Sequence, residues 1–372
     1  MRYAAARRKA DTEVSLIKYL GSKRRLVEHI VADVECCSGV RTVLDLFSGT
    51  ARVGHALKAR GYRVHANDHN AYAHVLARCY VAADARAWRG PAERLVAELD
   101  ALPGRPGWFT ELYCERSRYL QPANGARVDA IRARIAALAL PPELEAIALV
   151  SLMEAADRVD STVGLQMAYL KQWAPRSYQP LRLRLPALLD GEGAATCLDA
   201  RAAAAIPCDL AYLDPPYNQH SYLGNYHVWE SLVRWDEPEV YGVAMKRTDV
   251  RTRASRFNRR GQHAAALAGV LAELRARWIV VSFSDEGFLP LDDLRTMLAG
   301  HGRVREAGIA HPRHIGHKIG IHDLQGRKVG VPGPARNREH LFVVETGAAG
   351  ARSRPLTRRA AGISRAPAAF PD

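Results

Sequence analysis

Val43-Leu44-Asp45-Leu46-Phe47 is an apolar run broken by one acid, and Ser48-Gly49-Thr50 follows it as a turn. A short apolar run bounded by turn residues reads as a buried strand. Residues 52–60 then place apolar side chains at helical spacing and stop at Gly61, a residue that commonly terminates helices. Tyr62-Arg63-Val64-His65-Ala66-Asn67-Asp68 follows as a second strand that again ends in an acid. The product is a βαβ unit with polar residues gathered at the carboxyl ends of its strands, where open α/β sheets bind ligands.

Outward from this unit the pattern changes. From about residue 91 to residue 190 the chain is rich in Ala, Leu, Arg and Glu at helical spacing, broken by Leu102-Pro103-Gly104-Arg105-Pro106-Gly107 and by Pro141-Pro142. Strand patterns resume at Ala195-Thr196-Cys197-Leu198-Asp199, Cys208-Asp209-Leu210-Ala211-Tyr212-Leu213, Trp278-Ile279-Val280-Val281-Ser282-Phe283 and His340-Leu341-Phe342-Val343-Val344. The sheet is therefore expected to be interrupted by a mainly helical insertion and completed after it. A basic N-terminal arm is expected over 1–14, a discontinuous catalytic domain over 15–90 and 192–346, the insertion over 91–191, and a disordered basic tail over 347–372.

A chain of 372 residues with 48% hydrophobic and 25% charged residues is ordinary for a globular protein. Its formal charge of +14 favours polyanionic partners. Six cysteines occur without a CxxC pair or a Cys/His cluster at zinc-ligand spacing, so no metal site is expected. No apolar signal stretch follows the basic residues at the start, and no segment has the roughly 18 uninterrupted apolar residues of a membrane span. The expectation is a cytoplasmic protein without a membrane partner.

The sharpest local signal is Asp214-Pro215-Pro216-Tyr217, directly after the apolar strand 210–213. Two prolines fix φ and present carbonyls without competing N–H donors. An exocyclic NH2 placed there can donate one hydrogen to the Asp214 carboxylate and the other to the Pro215 carbonyl. Its lone pair is thereby drawn out of conjugation, and Tyr217 offers a flat face for the base to which the amine belongs.

Asp45 to Thr50 reads as the floor of a cofactor pocket. Gly49 lets the backbone approach a ligand, and Asp45 can accept from an ammonium. The G-x-G-x-x-G spacing and a Walker lysine are both missing, which suits a cofactor without a pyrophosphate. Asp68 is placed to accept from two ribose hydroxyls. Asp199 can accept from an adenine amine, or it can simply cap a helix. Tyr19, Gly21, Ser22 and Lys23 bring an aromatic face, backbone donors and a cation that suits a carboxylate.

Taken in order, Lys18-Tyr19-Leu20-Gly21-Ser22-Lys23, residues 45–50 and Asp214-Pro215-Pro216-Tyr217 resemble the D12 class of adenine-specific DNA methyltransferases, the Dam-like alpha group. Ser282-Phe283-Ser284-Asp285-Glu286-Gly287-Phe288 is similar to that family's short Ser-Tyr/Phe-x-x-Glu-Gly segment, so the resemblance covers most of 15–346. It implies an α/β fold: a Rossmann-like S-adenosylmethionine-dependent methyltransferase sheet with an inserted, mainly helical target-recognition domain. It further implies that Tyr19, Gly21, Ser22, Lys23, Asp45, Phe47, Ser48, Gly49, Thr50 and Asp68 line the S-adenosylmethionine site, with Asp199 added from its own position. Asp214, Pro215, Pro216 and Tyr217 would hold an adenine flipped out of duplex DNA. Where the family often has a further glycine this chain has Ala51, which is expected to enter the following helix without difficulty.

DNA contacts are expected from Asn218, His220 and Tyr222, from the basic run Lys246, Arg247, Arg251 and Arg253, and from Lys171 in the insertion with its neighbours Gln166, Tyr169, Gln172 and Arg176. The basic strip 313–320 reads as a hairpin arm. A restriction endonuclease is a natural partner for such an enzyme, and a monomer is the simplest state. An RNA N6-adenine methyltransferase and a catalytically idle nucleic-acid-binding homologue are the alternatives.

Overall fold

The computed structural model describes residues 17–19, 23–312 and 336–347. The readings of Gly21, Ser22, the strip 313–320 and both termini lie outside the described residues.

The described strands are β1 (Thr42–Asp45), β2 (Arg63–Asn67), β3 (Gly193–Thr196), β4 (Leu210–Leu213), β5 (Val240–Tyr241), β6 (Lys246–Arg247), β7 (Trp278–Ser284), β8 (Gly302–Pro312) and β9 (Arg336–Thr346). β5 and β6 form a separate ribbon; the others make one sheet in the order β3-β2-β1-β4-β7-β9-β8. The first five strands of that order run parallel, and β9 runs antiparallel to both its neighbours. After β1 the chain moves out one way to β2 and β3, then returns to the other side of β1 for β4. The carboxyl ends of β1 and β4 therefore flank the point where strand order reverses, the place where such sheets leave a crevice.

The α-helices of five residues or more among the described residues are α1 (Val27–Glu35), α2 (Arg52–Ala59), α3 (Ala71–Ala77), α4 (Ala85–Asp100), α5 (Pro122–Ala137), α6 (Pro142–Arg158), α7 (Ala200–Ala204), α8 (His227–Arg234), α9 (Arg260–Glu273) and α10 (Leu291–Ala299). Successive side chains of a strand point to opposite faces, so each parallel strand feeds two cores. Val43, Val64, Leu210, Tyr212 and Val280 pack with α1, α2 and the helices of the insertion. Leu44, Leu46, Ala211, Leu213, Ile279 and Val281 pack with α9 and α10. The insertion shares the first core, since Ile131, Ile147 and Val150 belong to the same cluster as Val43 and Val64.

Three expectations shift. The helical region begins earlier than residue 91, because α4 starts at Ala85 and runs through Pro91. Gly90, which has no Cβ to meet the proline ring, precedes it. The strand expected over 195–199 is Gly193–Thr196, and Asp199 falls beyond it. Ala51 does not enter α2 in a helical conformation: it is the N-cap residue, in the left-handed region at φ 61°.

That conformation costs an L-residue roughly 1–2 kcal/mol. Ala51 N–H donates to the Ser48 carbonyl (2.7 Å), and its own carbonyl accepts from His55 N–H (2.8 Å), so the turn is held at both ends. Ala51 is also fully buried. Ala51→Gly relieves the strain but gives up a buried methyl and loosens the unfolded chain, so its stability should change by less than about 1 kcal/mol. Ala51→Val should lose more than about 2 kcal/mol, since a β-branched residue is a stronger outlier there. Denaturant unfolding of the two variants checks both values.

Candidate active site

The crevice at the reversal point is a cleft that opens to solvent. Its wall brings together Tyr19, Lys23, Asp45, Phe47, Ser48, Gly49, Thr50, Asp68, Asp214, Pro216 and Tyr222. His69 and Asn70, which follow the β2 acid, and Arg52 also line it and were not anticipated. Asp199, exposed, caps α7 through the Arg201 N–H (3.0 Å) and lines an adjoining cavity whose wall also includes Phe47, Asp68, His69 and Pro216.

Asp45 ends β1 and is almost completely buried. Its Oδ2 accepts from the Gly54 N–H (3.0 Å), whereas its Oδ1 has no partner. A Cβ at Gly54 would crowd Asp45 Oδ2 and Val81, each at 3.0 Å. Burial pushes the Asp45 carboxyl up to about 7 against the pull of the Gly54 N–H, and the charges of Asp214 and Asp68 add to the rise. A buried carboxylate oxygen without a donor is a demand for one, and a cation meets it best.

Asp68 sits just after β2. Its Oδ2 accepts from the Gly49 N–H (3.1 Å), and its Oδ1 accepts from the Asn70 N–H (2.9 Å) and Asn70 Nδ2 (3.2 Å). The acid thus ties the turn after β1 to the turn after β2. Gly49 itself is left-handed at φ 51°, and the Tyr19 ring lies 3.5 Å from where its Cβ would be. Tyr19 stacks on Tyr222 (centroids 5.2 Å, 2° between planes) and on Tyr226 (4.5 Å, 14°). Tyr222, expected to touch DNA, is one of these three stacked rings and lines the cavity.

Asp214 follows β4 immediately. Lys23 does not stand ready for a ligand carboxylate: its Nζ lies 3.1 Å from Asp214 Oδ1 and 3.3 Å from Glu339 Oε2. Burial alone would lower the Lys23 ammonium, but the two carboxylates outweigh it and hold the group well above an ordinary lysine. Burial likewise raises Asp214, to about 6; Lys23 opposes the rise and Glu339 adds to it. Lys23 is therefore a positioning residue for Asp214. Lys18 turns the other way, its Nζ pairing with Asp160 Oδ1 at 2.7 Å.

Pro216 and Tyr217 are fixed from behind, and of the motif Asp214 and Pro216, but not Pro215 or Tyr217, line the cavity. His263 on α9 donates from Nε2 to the Pro216 carbonyl (3.1 Å), which leaves that carbonyl engaged. Phe288 N–H donates to the Tyr217 carbonyl (2.8 Å), and Phe283 meets the Tyr217 ring edge-on at 6.2 Å. The segment from Ser282 to Phe288 thus supports the motif rather than lining the cavity.

Several expected DNA contacts are structural. Arg247 is buried and held by Asp236 (2.6 and 2.7 Å) and by Asp249 (3.0 Å). Arg253 pairs with Glu230 (2.8 Å) and Asp249 (3.2 Å). Buried guanidinium groups need polar partners, and here those partners are carboxylates, which cancel the charge a phosphate would need. Gln166 is buried, its Oε1 accepting from the Val228 N–H (2.9 Å), and Arg176 is paired with Asp160 (2.7 Å). Asn218 Oδ1 accepts from the His220 N–H (3.0 Å), and Asn258 Nδ2 bridges the carbonyls of Asn218 (2.8 Å) and His220 (3.1 Å). Lys171 and Arg251 are exposed, the latter lying over the Tyr241 ring at 4.0 Å, and Lys246 is half-buried in β6. Among the described residues no group of three His, Cys, Asp or Glu is arranged to hold a metal, and no helix is long and apolar enough to cross a membrane.

A parallel sheet of this order, with acids after β1 and β2 and an Asp-Pro-Pro-Tyr turn after β4 in one crevice, defines a Rossmann-like methyltransferase. The family profile described as D12 class N6 adenine-specific DNA methyltransferase matches residues 19–297, and the chain belongs to that family. It is a DNA adenine methyltransferase. It is 27% identical over 303 residues to the type II methyltransferase M.NlaIII of Neisseria lactamica, covering 77% of this chain and 89% of that protein. It is 28% identical over 309 residues to the type II methyltransferase M.FokI of Planomicrobium okeanokoites, covering 77% of this chain and 47% of that protein. The chain thus spans about half the length of the M.FokI relative. M.CviAII of Paramecium bursaria Chlorella virus 1 is 25% identical over 315 residues, with 80% and 92% covered.

Proposed function

We propose that the chain methylates N6 of an adenine extruded from duplex DNA, holding S-adenosylmethionine over β1 and β2 and the target amine at Asp214. What carries the reading is one cavity that contains both the unpartnered Asp45 Oδ1 and the Asp214 carboxylate. The residues present fit the cofactor. Asp45 Oδ1 would accept from its ammonium, Asp68 would accept from its ribose hydroxyls, and Tyr19, Phe47 and Gly49 would wall it in. When bound, it supplies an electrophilic methyl on a positively charged sulfur.

The rest is done by the protein. Asp214, ionised and steadied by Lys23, accepts one N6 hydrogen, and the Pro215 carbonyl accepts the other. The N6 lone pair is then directed at the methyl carbon. A bound cofactor would supply the methyl to that lone pair, and the surplus N6 proton would then leave to solvent. A carboxylate is too weak a base to deprotonate the neutral amine beforehand, so Asp214 orients rather than abstracts. Extrusion of the base costs a few kcal/mol, which stacking on Tyr217 helps to offset.

By analogy with the type II relatives, the enzyme marks a short DNA sequence and works beside a restriction endonuclease of the same specificity. Duplex DNA and ribosomal RNA, offered together with labelled cofactor, test the assignment. All label should appear as N6-methyladenine in the DNA; label in RNA, or in cytosine, would contradict it.

A further inference from the structure

Among the described residues the large apolar side chains most open to solvent are Val243 (80% exposed), Tyr178 (67%), Val163 (57%) and Met167 (48%). A single exposed apolar residue means little. Val163, Met167 and Val243, however, stand on two loops that one buried hydroxyl clamps together. The Tyr119 OH meets both the Gln166 carbonyl (2.7 Å) and the Ala244 carbonyl (3.0 Å).

Both loops are rigid at their roots. The β5–β6 turn carrying Val243 is closed by the Arg247 ion cluster and by Thr248 N–H donating to the Glu239 carbonyl (2.9 Å). The loop carrying Val163 and Met167 is pinned to α8 by Gln166 N–H on the Asn225 carbonyl (2.8 Å) and by His227 Nε2 on the Gln166 carbonyl (2.9 Å). It also borders the active site. The Tyr226 OH reaches the Gly164 carbonyl (3.5 Å), and Tyr226, itself buried, stacks on Tyr19, which lines the cavity. Lys171, Lys246 and Arg251 lie along the same two segments in sequence. An apolar edge held stiffly beside a base-binding cavity, between cations, suits a polyanion whose interior is apolar.

We propose that Val163, Met167 and Val243 form a ridge that enters the DNA duplex next to the target adenine and occupies the space the extruded base leaves. Apolar wedges between base steps are a general way to stabilise a distorted duplex. The inference rests on the methyltransferase reading above and assigns to the ridge what Asp214 cannot do, namely favouring the flipped state before the amine is gripped.

The test compares the wild-type chain with the double variant Met167→Ser, Val243→Ser, both changes being at exposed positions. Each is assayed on a fully paired duplex and on the same duplex with an abasic site opposite the target adenine, where extrusion is easy. On the paired duplex the variant should lose about 10- to 100-fold in kcat/KM, and on the abasic duplex it should fall within about threefold of wild type. Cofactor affinity and melting temperature, measured alongside, should not move. Equal activity on the paired duplex, or the same loss on both substrates, overturns the ridge while leaving the methyltransferase standing. A wild-type chain that methylates neither duplex overturns the transfer reading and the ridge with it.

Discussion

Asp214→Ala should reduce methyl transfer by about 100- to 1,000-fold, the scale seen when a preorganised polar group is removed from a reacting centre. The loss should fall on kcat. Asp214 is the only carboxylate that both follows β4 and faces the cavity among the described residues, and without it the amine has one acceptor instead of two. Lys23 keeps Glu339 as a partner at 3.3 Å, so the variant should remain folded. Cofactor affinity should change by less than about threefold, because Asp45 and Asp68 are untouched. Tritium transfer at the wild-type rate in this variant would remove Asp214 from the mechanism. An acid limb in the rate profile belongs to the same picture: Asp214 is raised to about 6, and it accepts from the amine only when ionised.

Asp45→Asn should weaken cofactor binding by about 10- to 100-fold, the equivalent of one lost charge-assisted hydrogen bond. The same substitution should make the free protein more stable at pH 8. The sign follows from the direction of the shift. Folding raises Asp45 from the ordinary carboxylate range to about 7, so the folded state resists ionisation and the free protein loses stability as pH rises between about 4 and about 7. Asparagine cannot ionise and escapes that loss. Binding a cation reverses the preference, so near pH 7 cofactor binding should release protons. Calorimetry in buffers of different ionisation enthalpy measures the release. Unaltered affinity in Asp45→Asn, with no proton release in the wild type, would place the cofactor elsewhere.

The parts of the site that were legible in sequence are those made by neighbours in the chain. An apolar run, an acid and Ser48-Gly49 announce β1 and its loop, and Asp214 to Tyr217 announces itself, because strand, turn and acid are contiguous. Long-range partnerships were hidden. Glu339 meets Lys23 across 316 positions of sequence, so a motif lysine that suited a ligand proved to be a support for Asp214. The run containing Arg247 and Arg253 looked like a phosphate track, since nothing local reveals that Asp236, Asp249 and Glu230 fold back to neutralise it. β8 is not announced by the sequence because Gly302-Arg303-Val304-Arg305-Glu306-Ala307 is largely polar, as the edge strand of a sheet tolerates. The left-handed Ala51 was misjudged because an alanine advertises helix, whereas the buried turn after β1 overrides that preference.

The most direct test is a structure of the enzyme with its duplex and a non-transferring cofactor analogue. The account predicts an extruded adenine with N6 within hydrogen-bonding distance of the Asp214 carboxylate and the Pro215 carbonyl, and the analogue's ammonium on Asp45 Oδ1. An adenine still stacked in the helix, or extruded with N6 directed away from Asp214, would contradict it.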